Sequence, residues 1–318
     1  MIAQNGSINS PDLNVTVVAG VAFVLMATFI NALGSVISKI LLDHLTVSEL
    51  ALARVTVTFL VLLTIMLICK PSALRLSRQE IPALVIYGLA GMVLSPLMFF
   101  HAIARLPVGL ALVFEYTAPL LVVLYLRIFH VVSVPVRVLL GILVCLAGLA
   151  TITMPLGAVS ISASGFAFGI GAAFALAGVY LAGSSASRRR TPLAVATFGY
   201  LVGTVAIQIV NPIWTFPFST LVSAVQISLG GSVVVETRVW MVLLAIGSLF
   251  SALPTFLVLK GISFLGPARA SALSMTEPVF SFGLGWLLIN EYLTLRQIIG
   301  SFIVIFGLLL QNAGARRR

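Results

Sequence analysis

Ten stretches of this chain are apolar over about the length a helix needs to cross a hydrocarbon core, roughly 20 residues. They fall at 15–41, 47–69, 81–101, 107–127, 136–155, 163–183, 192–211, 239–259, 267–289 and 297–313. Runs of this length exceed what a core helix of a water-soluble domain needs, so the chain is expected to be an all-α polytopic membrane protein. Its charge content supports this. Only 8% of its 318 residues are charged, against about 25% in soluble domains. A water-facing surface cannot be built from so few charges, and lipid must cover much of the outside. The net charge of +10 does not indicate a nucleic-acid partner, because the arginines lie mostly in or beside short gaps between apolar runs.

Those gaps carry turn formers or charges, such as Lys70-Pro71-Ser72 and the run Arg188-Arg189-Arg190-Thr191-Pro192. One gap, 212–238, is long and mixed. It holds Trp214, Phe216 and Phe218, which suit an interfacial segment, and it has room for an extra short helix. Residues 1–14 contain Asp12 but no Lys or Arg, and the apolar run after them is too long for a signal core, so a retained first helix is expected. Cys69 and Cys145 lie in or beside apolar runs with no metal or disulfide spacing.

Positive charge gives an orientation. With the N-terminus in the cytoplasm and ten crossings, inside loops, helix ends and tail hold 13 of the 18 Lys and Arg: Lys70, Arg75, Arg78, Arg127, Arg137, Arg188 to Arg190, Lys260, Arg269 and Arg316 to Arg318. Outside lie Lys39, Arg54, Arg105, Arg238 and Arg296. Cytoplasmic loops carry the excess of Lys and Arg, so both termini are expected inside. The chain also repeats. Shifting 103–148 by 159 residues matches Ile103 with Ile262, Leu106 with Leu265, Thr117 with Thr276, Pro119 with Pro278, Arg137 with Arg296, Gly141 with Gly300 and Gly148 with Gly307. Each half has an odd number of helices, so the second copy must lie upside down relative to the first. The expected layout is a segment 1–14, a five-helix half 15–155, its inverted counterpart 163–313 and a basic tail 314–318. Inverted repeats are a transporter architecture with the substrate site near the midplane.

Two carboxylates fall near the middle of apolar runs, Glu115 in the fourth and Glu277 in the ninth. A charge at that depth costs at least ~2.5–3.5 kcal/mol on insertion scales and normally faces a cavity or a partner. The bland alternative is a neutral glutamic acid bonded to a neighbouring helix. Pro119 cannot donate to the carbonyl of Glu115, nor Pro278 to that of Ser274, so each half carries a freed acceptor at mid-membrane. A substrate ammonium would suit these acceptors; a locally satisfied proline kink is the competing account.

Polar side chains also form stripes at spacings of three and four: Asn31, Ser35 and Ser38; Thr197, Tyr200, Thr204 and Gln208; Ser248, Ser251 and Thr255; Ser271, Ser274, Glu277 and Ser281. They can line one cavity, although Ser and Thr also serve as glue between membrane helices. Lys39 and Arg54 either snorkel to the outer interface or meet an anionic group. Gly165 and Gly169 suit close helix packing. The candidate substrate contacts are therefore Glu115, Glu277, Ser274, Asn31, Ser35, Lys39 and Arg54. His44, His101 and His130 are scattered, and no HExxH, GxSxG or phosphate-loop pattern occurs, which leaves a membrane enzyme without a nucleophile or metal.

The stretches NALGSVISK, ELALAR, FHAIARLPVGLALVFEYTAP, SALPTFLVLKGISFLGPARASALSMTEPVF and INEYLTLRQIIGSFIVIFGL resemble the drug/metabolite transporter superfamily, in its EamA-domain branch. FEYTAP and SMTEP are most similar to motifs of threonine and homoserine exporters, with Thr276 inserted and Ala118 before the proline as departures. The resemblance spans about residues 15–312. It implies ten helices, inverted five-helix repeats, a central cavity, and export of amino acids or related metabolites across a bacterial inner membrane. The expected activity is alternating-access export of a small zwitterion, with carriage of phosphorylated or nucleotide-linked sugars as the other option within transport. A membrane enzyme and a channel are the readings from other classes. The expected partners are a small-molecule substrate and the lipid bilayer, with no cofactor. Proton coupling and a homo-oligomeric state are both compatible with such a carrier.

Overall fold

Apolar helices joined by short, capped turns make up most of the molecule. The computed structural model describes residues 10–129, 134–154, 162–229, 233–289 and 292–312. The helices are α1 (Ser10–Leu41), α2 (Val47–Cys69), α3 (Ile81–Ile103), α4 (Val108–Phe129), α5 (Val136–Thr153), α6 (Ala163–Ser187), α7 (Pro192–Val210) and α8 (Val239–Leu265). These eight are long and apolar enough to cross a membrane. Next comes α9, made of Pro267–Leu273, a single 3₁₀ turn at Ser274–Thr276, and Glu277–Ile289. Last is α10 (Leu295–Asn312), whose apolar length is shorter.

Local chemistry explains the ends. Thr46 and Glu49 form a reciprocal capping box at the start of α2. Thr294 and Gln297 do the same for α10. Ser162 caps α6 by accepting from Gly165 N. Pro192 and Pro267 occupy first-turn positions, where a missing N–H costs nothing. Gly266, at φ 77°, stops α8 in a backbone conformation that side chains disfavour, and its N–H bonds the Ile262 carbonyl.

One expectation needs correction: the protein is not wholly α-helical. The segment 212–238, whose capacity for an extra short helix the sequence left open, contains no α-helix among its described residues. That segment forms 3₁₀ turns at Ile213–Thr215 and Phe218–Val222, then an antiparallel hairpin of β1 (Ala224–Leu229) and β2 (Val233–Arg238). The residues β1 and β2 carry are rich in Val and Ile and too few for a stable helix, and Gly230-Gly231-Ser232 separates them in sequence. Phe216 does not face outward. It is buried with Leu41, Leu45, Leu50, Val225, Val239 and Ile246, where the hairpin region packs on the ends of α1, α2 and α8. Trp214 and Phe218 remain exposed, as an interfacial position requires.

Several boundaries also shift. α1 starts at Ser10, inside the segment expected to precede it, and α4, α6 and α8 run to Phe129, Ser187 and Leu265. Residues 1–9, His130, Asn290 and Glu291 of the last motif, and the basic tail 314–318 lie outside the described residues.

The 159-residue repeat is visible in packing. In α5 and α10, a Cβ added to Gly141 would lie 2.6 Å from the Gly307 carbonyl oxygen, and one on Gly148 would lie 2.8 Å from that of Gly300. Residue numbers rise along α5 as they fall along α10, so the two helices are antiparallel. Exchanging each residue for its counterpart in the other half turns the first glycine contact into the second. Small residues let these backbones approach closely, and Cys145 fills the space between by donating to the Val304 carbonyl. Cys145 is thus a packing residue.

Candidate functional site

Helices α4 and α9 are both broken, at equivalent places. In α4 regular helix ends at Glu115 and resumes at Ala118; in α9 the 3₁₀ turn takes Ser274–Thr276. The cause is shared. Pro119 and Pro278 remove one donor each, and a threonine hydroxyl takes another carbonyl in each half. Thr117 bonds Phe114 O at 2.6 Å, and Thr276 bonds Leu273 O at 2.8 Å. Helices α3 and α8 each contain one wider turn, Ala90–Leu94 and Ser248–Ala252, shortly before Pro96 and Pro254. Such π-bulges re-aim side chains and are frequent at functional sites.

Side chains from four of these elements and from α1 and α2 converge. The Arg54 guanidinium donates from Nε to Ser251 Oγ at 2.8 Å and from Nη2 to Asn31 Oδ1 at 3.3 Å. Asn31 Nδ2 donates to Glu277 Oε1 at 2.6 Å. A cation, an amide and a carboxylate thus form one line across α2, α1 and α9. Glu115 accepts from Ser95 at 2.9 Å and lies within electrostatic reach of Glu277. Tyr116 and Tyr180 lie within electrostatic reach of both carboxylates, and Tyr200 meets Thr255 at 3.2 Å.

Asn31, Arg54, Glu115 and Glu277 are half-buried, whereas Thr28, Ser95, Ser251, Ser274 and Thr276 around them are buried. The charged groups therefore stand in a crevice with hydroxyl walls. Its opening follows from α1. One and two turns past Asn31, Ser35 and Lys39 are exposed, while Thr28 and Val24 on the other side are buried. Along this face, accessibility rises toward the end that carries the hairpin. Toward the opposite end, Tyr87, Tyr180 and Tyr200 are buried, and Tyr87 is wedged against Gly183 and Gly199.

The structure thus links Arg54 to Glu277 through Asn31, with Glu115 beside them. Ser274 lies on the crevice wall, bonded to Ala270 O and within reach of Tyr180. Ser35 bonds the Asn31 carbonyl on the approach, and Lys39 stands exposed further out. The sequence reading missed Ser95, Tyr87, Tyr116 and Tyr180. Ser95-Pro96 in an apolar run was the available signal for the first; the tyrosines sit on three helices and form no periodic pattern.

These features define a class: polytopic helical membrane proteins whose two repeats surround a polar centre. The chain belongs to the EamA-like transporter family, whose sequence pattern matches residues 18–154 and again 163–313. It is similar to the pseudopaline exporter CntI of Pseudomonas aeruginosa, with 26% identity over 292 residues, 90% of this chain and 93% of the relative. The uncharacterised inner membrane transporter YicL of Salmonella typhimurium is 26% identical over 252 residues, 76% of each chain. A transporter of Archaeoglobus fulgidus is 25% identical over 212 residues, 67% of this chain and 70% of the relative. A solved crystal structure shares the fold, with TM-score 0.73 and 18% identity over 96% of this chain and 98% of that one.

Proposed function

We propose that the chain is a secondary carrier that exports a small zwitterionic metabolite by alternating access. The observation that carries this is the Arg54–Asn31–Glu277 line in a crevice between broken helices, which presents a cation and a carboxylate to one small solute. Asn31, Arg54, Glu115, Ser274 and Glu277 contact the substrate, and Ser35 and Lys39 line its approach. Ten crossings in two inverted halves are part of the proposal. The reciprocal glycine contacts of the antiparallel α5 and α10 support it, because a twofold axis relating antiparallel membrane helices lies in the membrane plane. The charge bias supports cytoplasmic termini and a crevice mouth on the outside; in this reading the carrier acts in the cell's inner membrane. A relative named as an exporter supports the direction.

Sugar phosphates and nucleotide sugars fit less well. Such anions want several converging cations, and Arg54 is the one cation in the crevice among the described residues. The test is efflux and uptake of a labelled metabolite panel in proteoliposomes, with and without a pH gradient. Saturable movement of a zwitterion, lost in Arg54→Ala and Glu277→Gln variants that still insert into membranes, is expected. Chemical alteration of the solute, single-channel currents, or transport restricted to polyanions would each overturn the proposal.

A further inference from the structure

Arg54, a cation, and Glu277, a carboxyl group, share one crevice, yet among the described contacts no ion pair within 4.0 Å joins them. What separates them is the side-chain amide of Asn31. Its orientation is set by chemistry. Arginine has donors and no acceptor, so the amide oxygen must face Arg54, and the NH2 group is left to face the Glu277 carboxylate. The contacts are 3.3 Å and 2.6 Å.

An acceptor toward Arg54 and a donor toward Glu277 is also what a molecule with a carboxylate and an ammonium on one carbon would offer. The lengths agree. The amide spans about 2.2 Å from oxygen to nitrogen, so the path from Arg54 Nη2 to Glu277 Oε1 is about 8 Å. In an α-amino acid, standard bond lengths put the ammonium nitrogen about 2.5 Å from the carboxyl carbon and about 3 Å from its oxygens. Two charge-assisted bonds of about 2.8 Å bring that path to about 8.5 Å. Each further carbon between the charged ends lengthens an extended solute by over 1 Å. Arg54 also keeps donors to spare: of the five N–H groups of an arginine, two are used in bonds to Ser251 and Asn31.

We propose that the Asn31 amide is an internal stand-in for the substrate's charged head. In the empty carrier it occupies the gap between Arg54 and Glu277 and keeps them from collapsing into an ion pair. It yields to a solute whose carboxylate and ammonium share one carbon. This rests on the carrier reading and deepens it by making Asn31 the residue that sets charge spacing.

Binding of 2-, 3- and 4-aminobutyrate, isomers that differ only in charge separation, tests it. The measurement is isothermal calorimetry on the full chain in lipid nanodiscs. The wild type should bind the 2-isomer at least tenfold more tightly than the 3-isomer, and the 4-isomer least. Asn31→Ala removes the spacer and should bring the 2- and 3-isomers within about threefold. Asn31→Asp keeps the shape but pairs with Arg54 and repels Glu277, and should weaken the 2-isomer at least tenfold. Should a variant fail to elute as a single species, the wild-type ranking decides alone. Equal affinities across the isomers, no binding of any, or an unchanged preference in folded Asn31→Ala would overturn the inference. If the metabolite panel is nevertheless transported, the carrier reading survives; if nothing is transported, the carrier reading itself fails.

Discussion

The contact between α5 and α10 gives a quantitative test of the repeat. Gly148→Ala would place a methyl group 2.8 Å from Gly300 O and from Val304 N, where ordinary contact begins at 3.4 Å. Both obstacles are backbone, so no side chain can turn aside, and the helices must part by roughly 0.6 Å or more; overpacking of this kind costs about 1–3 kcal/mol. Gly300→Ala meets Gly148 O at 2.7 Å and the Ile152 side chain as well, and should cost at least as much. One displacement relieves both clashes, so the double variant should be less destabilised than the two singles added together, by about 1 kcal/mol or more. Reversible unfolding in mixed micelles measures all three. A single variant costing under about 0.5 kcal/mol, or strict additivity, would show that these backbones do not touch. Transport selectivity should not change, because neither glycine lies in the crevice.

Further outcomes follow from the site and the loops. Glu115→Gln keeps size and a group that can accept from Ser95 but cannot titrate; it should insert normally, lose at least about tenfold in transport, and flatten any pH dependence. Wild-type rates at every pH would make Glu115 structural. Lys39→Gln, altering an exposed cation on the approach, should raise KM about two- to threefold with maximal rate unchanged; a fall in maximal rate would move Lys39 into the site. In the loops, hydrogen bonds from Arg190 and then from Ser77 N hold the Glu80 carboxyl down at about 2. Its stabilisation is therefore present above about 4.5 and lost as pH falls through about 2. The stability difference between wild type and Glu80→Gln should shrink over that window, and a flat difference would exclude this clasp. A single cysteine at position 188, with Cys69 and Cys145 replaced, should react with impermeant reagent only in inside-out vesicles; labelling from outside intact cells would rule out cytoplasmic termini with ten crossings.

Much of this architecture was legible because lipid makes sequence rules strict. A long apolar run has few alternatives to a spanning helix, and an isolated Glu or Arg within one must have a partner. That logic picked out Arg54, Glu115 and Glu277, and a polar stripe at helical spacing picked out Asn31. It could not name the partners, since Asn31 and Glu277 are 246 residues apart. Hydroxyls were ambiguous for a physical reason: Thr64 and Thr151 simply bond their own helix carbonyls, while Ser95 and Ser251 hold charged groups, and nothing local distinguishes the two uses. The wide turns of α3 and α8 depend on what packs around them. The hairpin was missed because 212–238 read as a long mixed gap, and the six-residue strands within it carry no signal on the scale of a spanning helix.

The two halves agree in backbone and differ in charge. Thr117 and Thr276 tie the same carbonyl at equivalent breaks, and Pro119 and Pro278 free equivalent acceptors, yet Glu115 corresponds to Ser274 and Glu277 to Ala118. Alternating access asks the halves to exchange shapes, and this demands like hinges: a break that bends in one half must be able to bend in the other. A solute with unlike ends places the opposite demand on side chains. It needs a cation at one place and an anion at another, and a symmetric pair of charges would bind either end equally and orient neither. In the proposed carrier, symmetry in the prolines and threonines, with asymmetry at Glu115 and Glu277, meets both demands. It also locates where selectivity can change with little effect on the transport cycle: at the charged positions beside the breaks, and not at the breaks themselves.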